Sequence, residues 1–243
     1  MKLQYVQSEM DRFGLRMARL IVEAADRAVS ASAIVALCEA ERVDMLTLRI
    51  PADGIALAQD LESAGFRLMD CLVYYEAQTA GSIAGKLGGL DIRGAAPADV
   101  DQIGEVARAC FTDYFSHYHA DPRLDKRLVA DGYVDWARRS CLDQGAGSAA
   151  FAAIMGDRVV GIAALHRNTE SEGDGRLFAV HPDFSGRGVH GALIDRAKQW
   201  CAENGMSRMV ISTQLANLWA QRSYSNRGFR LHRSFFTFHR WFI

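Results

Sequence analysis

The stretch HPDFSGRGVHGALI, residues 181–194, joins a predicted strand to a predicted helix. Gly186, Gly188 and Gly191 lie within it, with Arg187 among them, where an apolar run of helical spacing begins. The first N–H groups of a helix lack internal partners and face the positive end of the helix dipole, so this turn suits an anion. The stretch lacks the lysine of a P-loop, and no acidic residue follows the next strand where a dinucleotide-binding fingerprint requires one. Taken alone, it fits either a phosphate-binding loop or a structural turn.

Composition and charge narrow the class of protein. The chain has 243 residues, 49% of them hydrophobic, and a net charge of −1. This composition is globular, and the charge argues against a broad nucleic-acid-binding surface. Residues 1–20 carry charges throughout and no apolar run is long enough to cross a bilayer, so we expect neither a signal peptide nor a membrane span. The five cysteines include no CxxC pair, and we expect reduced thiols in a cytoplasmic protein, with no metal site.

The second half of the chain predicts a mixed α/β fold. Apolar runs on either side of Gly156 predict a β-hairpin over 149–167, and a polar loop follows at 170–175. The later segments are typical of strand, helix, strand, helix and strand in turn: 176–181, 188–204, 209–213, 217–228 and 229–242. This order predicts an α/β protein with a mixed central sheet flanked by helices. The aromatic final strand either completes the sheet within the chain or pairs across a homodimer.

The N-terminal part is a degenerate copy of this pattern. Residues 62–76 and 225–239 both carry Gly-Phe-Arg-Leu before an aromatic-rich strand, at an offset of 163 residues. The same offset aligns MLTLRI with RMVIST, strand on strand, and Cys38 with Cys201, helix on helix. We interpret this shared register as an internal repeat.

The offset also indicates what the first copy lacks. The glycine-rich loop aligns with residues 23–28, which contain no glycine. We therefore predict that residues 1–80 form a degenerate N-terminal domain that serves as a scaffold or a wall of the substrate site. A linker rich in Gly and Ala is predicted at 81–98, and the working domain at 99–243.

Two motifs carry a resemblance to a known family. FAVHPDFSGRGVHGALI (178–194) resembles the coenzyme A signature of the GNAT acetyltransferase superfamily. NLWAQRSYSNRGF (217–229) resembles the family's next signature, Asn-x-x-Ala-x-x-x-Tyr-x-x-x-Gly-Phe. The resemblance covers about residues 92–243, and it implies a GNAT-like fold, with a degenerate GNAT-like N-terminal half, that binds acetyl-CoA.

The resemblance implies a set of coenzyme-binding residues, which are Phe178, Ala179, Val180, Ser185, Gly186, Arg187, Gly188, Val189, His190, Gly191, Asn217, Ala220 and Tyr224. Two of them depart from the family pattern. Ser185 stands where a long Gln or Arg is usual, and His190 stands where Gly or Ala is usual.

Direct acetyl transfer to an amine requires a deprotonated amine, a polarised thioester and a protonated leaving group. The resemblance implies that Tyr224 is the general acid. Asn217, two helical turns earlier, shares its face and completes the catalytic pair. A backbone N–H of the strand at 178–180 is expected to polarise the thioester. That strand has no glutamate to act as the base, which leaves His117, His119, His166, His239 or a water chain.

Residues 110–140 lie outside both motifs and are rich in aromatic, His and Arg residues. They fit a two-helix insert broken at Asp121-Pro122. Together with Phe13-Gly14 and FTFHRW (236–241), the run SHYHADPRLD (116–125) resembles the dTDP-fucosamine acetyltransferase branch, whose members N-acetylate amino sugars carried on a nucleoside diphosphate.

This second resemblance implies a nucleotide-linked amino sugar as acceptor. Guanidinium groups and aromatic rings suit a diphosphate and its base, and the residues expected to bind the acceptor are Tyr118, His119 and Arg123. Two alternatives stay open: another small amine as acceptor, such as an amino acid, polyamine or antibiotic, or a non-catalytic acyl-CoA-binding module.

Overall fold

The computed structural model describes residues 1–23, 29–82, 87–145 and 147–243. Over these residues helices flank one ten-stranded mixed sheet, so the predicted α/β class is confirmed. The strands are β1 (Gln4–Tyr5), β2 (Met17–Ile21), β3 (Met45–Pro51), β4 (Arg67–Gln78), β5 (Leu90–Gly94), β6 (Ser148–Met155), β7 (Arg158–Arg167), β8 (Glu172–Val180), β9 (Arg208–Gln214) and β10 (Arg230–Trp241). The helices are α1 (Gln7–Phe13), α2 (Ala31–Ala40), α3 (Ile55–Ser63), α4 (Val100–Phe111), α5 (His117–Ala120), α6 (Lys126–Leu142), α7 (Val189–Glu203) and α8 (Leu218–Asn226).

The strand order across the sheet is β1-β2-β3-β10-β4-β9-β8-β7-β6-β5. The pairs β2–β3 and β8–β9 are parallel, and the other neighbouring pairs are antiparallel. The predicted order of elements after residue 149 is confirmed. Neighbours in the sequence are mostly neighbours in the sheet, except around β4 and β10.

The predicted polar loop at 170–175 is partly wrong, because β8 begins at Glu172. Gly173 and Gly175, which suggested a loop, lie within the strand and are buried. A Cβ on Gly173 would collide with the Cys201 side chain of α7, and one on Gly175 would crowd Met209 of β9. Glycine at these positions therefore allows close packing against the strand.

The predicted linker at 81–98 is corrected at its centre, where Leu90–Gly94 forms β5. This strand pairs antiparallel with β6 and completes one edge of the sheet. Residues 83–86 of the same linker lie outside the described residues. The domain limits at 80 and 99 stay a prediction.

The internal repeat is confirmed by the limits of the elements. The series β3, α3 and β4 recurs as β9, α8 and β10, each at an offset of 163 residues at both ends. The counterpart of the glycine-rich loop, expected at 23–28, lies outside the described residues except for Glu23.

The pairing of the strands follows the same repeat. Leu72 of β4 pairs with Gln214 of β9, and Phe235 of β10 pairs with Pro51 of β3, so equivalent positions make equivalent pairs. Leu72 and Phe235 are themselves equivalent, and they pair with each other. The two copies are therefore related by an approximate two-fold axis that passes through the Leu72–Phe235 pair.

The two halves of the chain interleave at this axis. Strand β4 of the N-terminal half lies between β9 and β10, and β10 lies between β3 and β4. Phe238 of β10 is buried in the core of the N-terminal half, against the aliphatic residues of β3. The final strand thus completes the sheet within the chain and has no free edge for pairing with a second copy.

Helices cover both faces of the sheet. Adjacent residues of β7 point to opposite faces: Ala163 contributes to the core under α7 and α8, and Ile162 to the core under α4 and α6. In the described ranges, no helix combines the length and apolar character needed to cross a membrane.

The interleaving predicts that a β10 side chain supports the N-terminal core. Phe238→Ala, at a position 1% exposed, should lower the free energy of unfolding by about 3–5 kcal/mol, because it leaves a large cavity. Leu231→Ala on the same strand, at a position 61% exposed, should lower it by less than about 0.5 kcal/mol. Urea denaturation of both variants measures the difference, and equal losses would contradict this role of β10.

Candidate functional site

Strands β8 and β9 pair over part of their length, and a cleft opens where they separate. Their parallel pairing runs from Glu172 with Arg208 to Gly175 with Ile211. Beyond it, residues 177–180 pair with β7, so their backbone groups on the β9 side have no partner in the ladder. The cleft opens into a cavity of about 990 Å³ with walls from both halves of the chain.

The glycine-rich loop leads from β8 to the start of α7. Gly186 and Gly188 have φ values of 75° and 81°, in the left-handed region that glycine tolerates best. Helix α7 begins directly after Gly188. Gly186, Arg187 and Gly188 are exposed, so a ligand has access to the first N–H groups of the helix.

The predicted coenzyme-binding residues divide into two sets. Those that line the cavity are Phe178, Ala179, Val180, Ser185, His190, Asn217, Ala220 and Tyr224. Those that do not are Gly186, Arg187, Gly188, Val189 and Gly191. The second set forms the loop and the first turn of α7, outside the enclosed part of the cavity.

Gly191 has a packing role that the motif does not suggest. The guanidinium group of Arg227 lies where a Cβ on Gly191 would be. Arg227 in turn forms an ion pair of 2.9 Å with Asp195, one helical turn after Gly191. The glycine therefore makes room for the side chain that joins the end of α8 to α7.

The bulky His190 points inward. It is buried, its Nδ1 lies 2.8 Å from the Ser223 hydroxyl, and its ring lies 4.7 Å from Trp219 and 6.0 Å from Tyr224 between ring centres. Burial, with Arg227 nearby, lowers the pKa of His190 to about 4. His190 is therefore a neutral part of the cavity wall at pH 7.

Asn217 and Tyr224 line the cavity from α8. The Asn217 side chain caps this helix by accepting from the Ala220 N–H at 3.2 Å, and it donates to the Thr213 hydroxyl at 3.1 Å. The Tyr224 hydroxyl lies 3.5 Å from the Ser212 carbonyl oxygen. Burial raises the pKa of Tyr224 well above its usual value, so the hydroxyl keeps its proton.

The structure brings one of the three predicted acceptor residues into the cavity. Tyr118 lines it, whereas His119 and Arg123 do not. His119 turns to Ser116, with 2.9 Å between its Nδ1 and the hydroxyl oxygen. The guanidinium carbon of Arg123 lies 4.0 Å from the centre of the Trp241 ring, which holds this cation over the C-terminal strand. Arg123 therefore lies outside the lining of this cavity, and its role in binding the acceptor stays a prediction.

Three arginines of the N-terminal half line the cavity instead: Arg12, Arg19 and Arg49. Arg19 of β2 donates to the Tyr118 hydroxyl at 2.8 Å and forms an ion pair with Glu9. Burial opposes the charge of Arg19, but Tyr118 and Glu9 outweigh it and raise its pKa. Arg49 of β3 also lines the cavity. Arg12 forms an ion pair with Asp135 and Arg19 with Glu9, whereas Arg49 forms none with a described residue.

The sequence prediction made the N-terminal half a scaffold or a wall of the substrate site, but it named none of these arginines. A signal was present in the apolar strand MLTLRI, where Arg49 is the single charged residue. A charge inside a buried strand is costly unless it faces a partner or a ligand. Through the repeat, Arg49 aligns with Ser212, which lines the same cavity.

Tyr114 was also missed. It lines the cavity between α4 and α5, and its hydroxyl donates to the Gln214 side chain of β9. Burial raises its pKa. The segment 110–140 therefore reaches the end of β9, beside the Asn217 cap.

The four histidines considered as bases lie in different places. His117 lines the cavity, and its Nδ1 lies 2.9 Å from Nε2 of His239. His166 lies on β7, with Nδ1 3.0 Å from the Ser148 hydroxyl, and lines a separate pocket of about 270 Å³. Of the four, His117 alone lines the large cavity.

Comparison with known proteins supports the resemblance of the two motifs to acetyltransferases. The model of the acetyltransferase (GNAT) family matches residues 100–229. The spore coat polysaccharide biosynthesis protein SpsD of Bacillus subtilis (strain 168) is 29% identical over 146 residues, which cover 60% of this chain and 48% of SpsD. The chain thus spans about half the length of this curated relative.

Solved structures share the fold. A GCN5-related N-acetyltransferase from Sphaerobacter thermophilus superposes with a TM-score of 0.66 at 12% identity, covering 99% of this chain and 75% of that one. A tandem GNAT protein from the clavulanic acid biosynthesis pathway gives a TM-score of 0.60 at 12% identity, covering 94% and 76%. At these identities the likeness concerns the fold.

Burial of His190 predicts a pH-dependent loss of stability. Its pKa of about 4 lies below the ordinary value near 6.5, so the folded state binds fewer protons than the unfolded state between these values. The contribution is complete above about pH 6.5 and is lost as the pH falls toward 4. His190→Gln should reduce the loss of unfolding free energy between pH 7 and pH 4.5 by about 2–3 kcal/mol.

Urea denaturation at the two pH values measures this effect. His232→Gln, at a more exposed histidine of β10, is the matched control for the loss of a histidine and should not reproduce the effect of His190→Gln. The same pH dependence in wild type and His190→Gln would contradict the assignment.

Proposed function

The chain belongs to the acetyltransferase (GNAT) family, and we propose that it transfers the acetyl group of acetyl-CoA to the amine of a nucleotide-linked amino sugar. The observation that carries the proposal is the open end of the β8–β9 pair. There, the glycine-rich start of α7 and the α8 residues Asn217 and Tyr224 surround one cleft, which continues into a cavity lined by arginines.

The cleft fits acetyl-CoA in its chemistry. The exposed loop that leads into α7 suits the pyrophosphate, and Arg187 adds a positive charge there. The backbone N–H groups of residues 178–180 on the β9 side are free to polarise a thioester carbonyl. Acetyl-CoA supplies the activated acetyl group, and these residues hold it.

Tyr224 is the proposed general acid. A phenol that keeps its proton at neutral pH can donate it to a leaving thiolate, and burial raises the pKa of Tyr224 in that direction. Asn217 fixes the start of α8 and holds Thr213 of β9, so it positions the helix that carries Tyr224.

Transfer is proposed to be direct, in a ternary complex. All five cysteines are free, as the sequence predicts, and Cys110 lines the cavity. Burial raises the pKa of Cys110 to about 11, and its thiol donates to the Val180 carbonyl oxygen at 2.9 Å. A protonated, engaged thiol is a poor acyl carrier.

The proposed acceptor follows from the far part of the cavity. Arg19 and Arg49 offer guanidinium groups suited to a diphosphate, and aromatic side chains stand beside them for a base or sugar: Phe13, Tyr74, Tyr118, Tyr133 and Trp136. A volume of about 990 Å³ is at the upper end of the range for ligand sites. The similarity to SpsD, a spore coat polysaccharide biosynthesis protein, supports a sugar-related acceptor.

We predict that Tyr224→Phe lowers kcat more than tenfold, since it removes the proton donor. The Kd for acetyl-CoA should change less than twofold. Tyr75→Phe is the matched control, because the Tyr75 ring packs 5.7 Å from Tyr224 while its hydroxyl donates to Gln221 outside the lining of the cavity. Thiol release measures the rates, and equal rates for the two variants would point to water as the proton donor.

We predict that Arg19→Gln and Arg49→Gln each raise the acceptor KM at least tenfold, because each removes a cation from the acceptor side. The KM for acetyl-CoA should stay within twofold. Arg16→Gln, just before β2 and paired with Glu41 at the surface, serves as the control. The assay uses TDP-, UDP- and GDP-linked amino sugars beside free amino sugars, amino acids and polyamines. Preference for a free amine would overturn the nucleotide-linked acceptor.

A further inference from the structure

A buried chain of hydrogen bonds ends at the cavity. Asp121 Oδ2 lies 2.8 Å from His239 Nδ1, and His239 Nε2 lies 2.9 Å from His117 Nδ1. Asp121 and His239 are each 1% exposed and His117 is 6% exposed. His117 lines the cavity, whereas the other two do not. The chain thus connects an enclosed carboxylate to the acceptor space through two imidazole rings.

The carboxylate is firmly held as an anion. Burial raises the pKa of Asp121, but bonds from His239, the Arg123 N–H and the Trp241 indole outweigh it and bring the pKa to about 2. The backbone N–H of Arg123 donates to Oδ1 of Asp121 at 3.0 Å, and the indole N–H of Trp241 donates to Oδ2 at 2.9 Å. An ionised carboxylate accepts hydrogen bonds and donates none.

The Asp121 carboxylate determines which ring nitrogens of His239 and His117 carry protons. Because Asp121 only accepts, His239 carries its proton on Nδ1. Burial lowers the pKa of His239, so the ring is neutral and its Nε2 accepts. His117 must therefore donate from Nδ1, which leaves Nε2 of His117 with a free lone pair. Among the described residues, none forms a hydrogen bond with that nitrogen.

We propose that His117 is the general base of the reaction, and that His239 and Asp121 are positioning residues that keep its Nε2 unprotonated toward the acceptor. This inference rests on the proposed acetyl transfer. The arrangement has the logic of a nucleophile-activating triad, in which a carboxylate fixes the tautomer of a histidine. Here two histidines in series carry that constraint from the core to the cavity.

The surroundings of His117 favour its neutral form. Its pKa is lowered well below the usual value, first by burial and then by neighbouring charges. The titratable groups that face it or its relay are Arg19 of β2, Arg49 of β3, Asp70 of β4, Tyr118 and His119 of α5, and His239 of β10. At pH 7 His117 is therefore unprotonated, as the role of a base requires.

The proton balance is complete without another reactant. An ammonium acceptor loses two protons on becoming an amide. His117 takes the first and releases it to solvent, which leaves a neutral amine with a free electron pair. The amine nitrogen forms a bond to the acetyl carbon, and the carbon–sulfur bond breaks. The sulfur takes a proton from Tyr224, and the second nitrogen proton restores the Tyr224 hydroxyl by way of His117 or water.

Asp174 is the rival group in the cavity wall. It lies on β8, and its carboxylate is 3.5 Å from Nε of Arg176. Burial raises its pKa. The pH profiles of kcat/KM for His117→Gln and Asp174→Asn distinguish the two groups, because each variant removes one of them.

The test measures kcat and KM for a TDP-linked amino sugar against pH. Variants are His117→Gln, His239→Gln, Asp121→Asn and Asp174→Asn, with exposed His232→Gln as control. In wild type, kcat/KM should rise through an apparent pKa below 6.5 and then level off. His117→Gln should lower kcat by about 10²–10⁴-fold and abolish this rise. Asp121→Asn and His239→Gln should lower kcat at least tenfold with acceptor KM within twofold.

Added imidazole should restore part of the activity of His117→Gly, which a purely structural role would not allow. A folded His117→Gln enzyme with unchanged kcat and pH profile would overturn the proposal, as would loss of the acid-side rise in Asp174→Asn alone.

Nitrogen NMR of the wild-type rings supplies a readout independent of turnover and of variant folding. It should show His117 protonated on Nδ1, and an Nε2-protonated His117 would overturn the proposal. Lack of transfer to any amine, with His117 protonated on Nδ1, would instead mean that the proposed function fails.

Discussion

The pairing of β4 with β10 is the constraint on which the rest of the structure depends. It places a strand of the first half between two strands of the second, and a strand of the second half beside β3. His239 reaches the cavity region because β10 runs there, and Arg49 faces the same space because β3 is the next strand. Neither half can form this cavity without the other, since its wall is built from residues of both.

Much of the fold could be predicted from local patterns. The strand–turn–helix at Gly188 and the Asn217 cap depend on short-range chemistry, and both appear in the structure as the spacing indicates. The 163-residue offset located three matching elements without any knowledge of contacts. The loop predicted at Gly173 and Gly175 was wrong, because these glycines make room for a close approach by α7 and β9 that no local pattern reveals.

The acceptor side was harder to predict, because it is assembled from segments far apart in the chain. Arg123 lies in a run that suggested anion binding, yet its cation stacks on Trp241, more than a hundred residues later. The histidines could be ranked only once β10 placed His239 beside His117. The sequence alone does not give the orientation of His190, and its burial against Trp219 and Tyr224 shows that it points inward.

The approximate two-fold axis has a consequence for how such a protein can change. Ser212 and Arg49 occupy equivalent places in the two copies, and both line one cavity. The glycine-rich loop, where we propose that the acetyl donor binds, belongs to one copy, whereas β2 and β3 of the other copy supply Arg19 and Arg49. Under the proposed function, substitutions on β2 and β3 would change the choice of acceptor and leave the donor loop intact. Duplication within a single continuous sheet would then let specificity evolve separately from the chemistry.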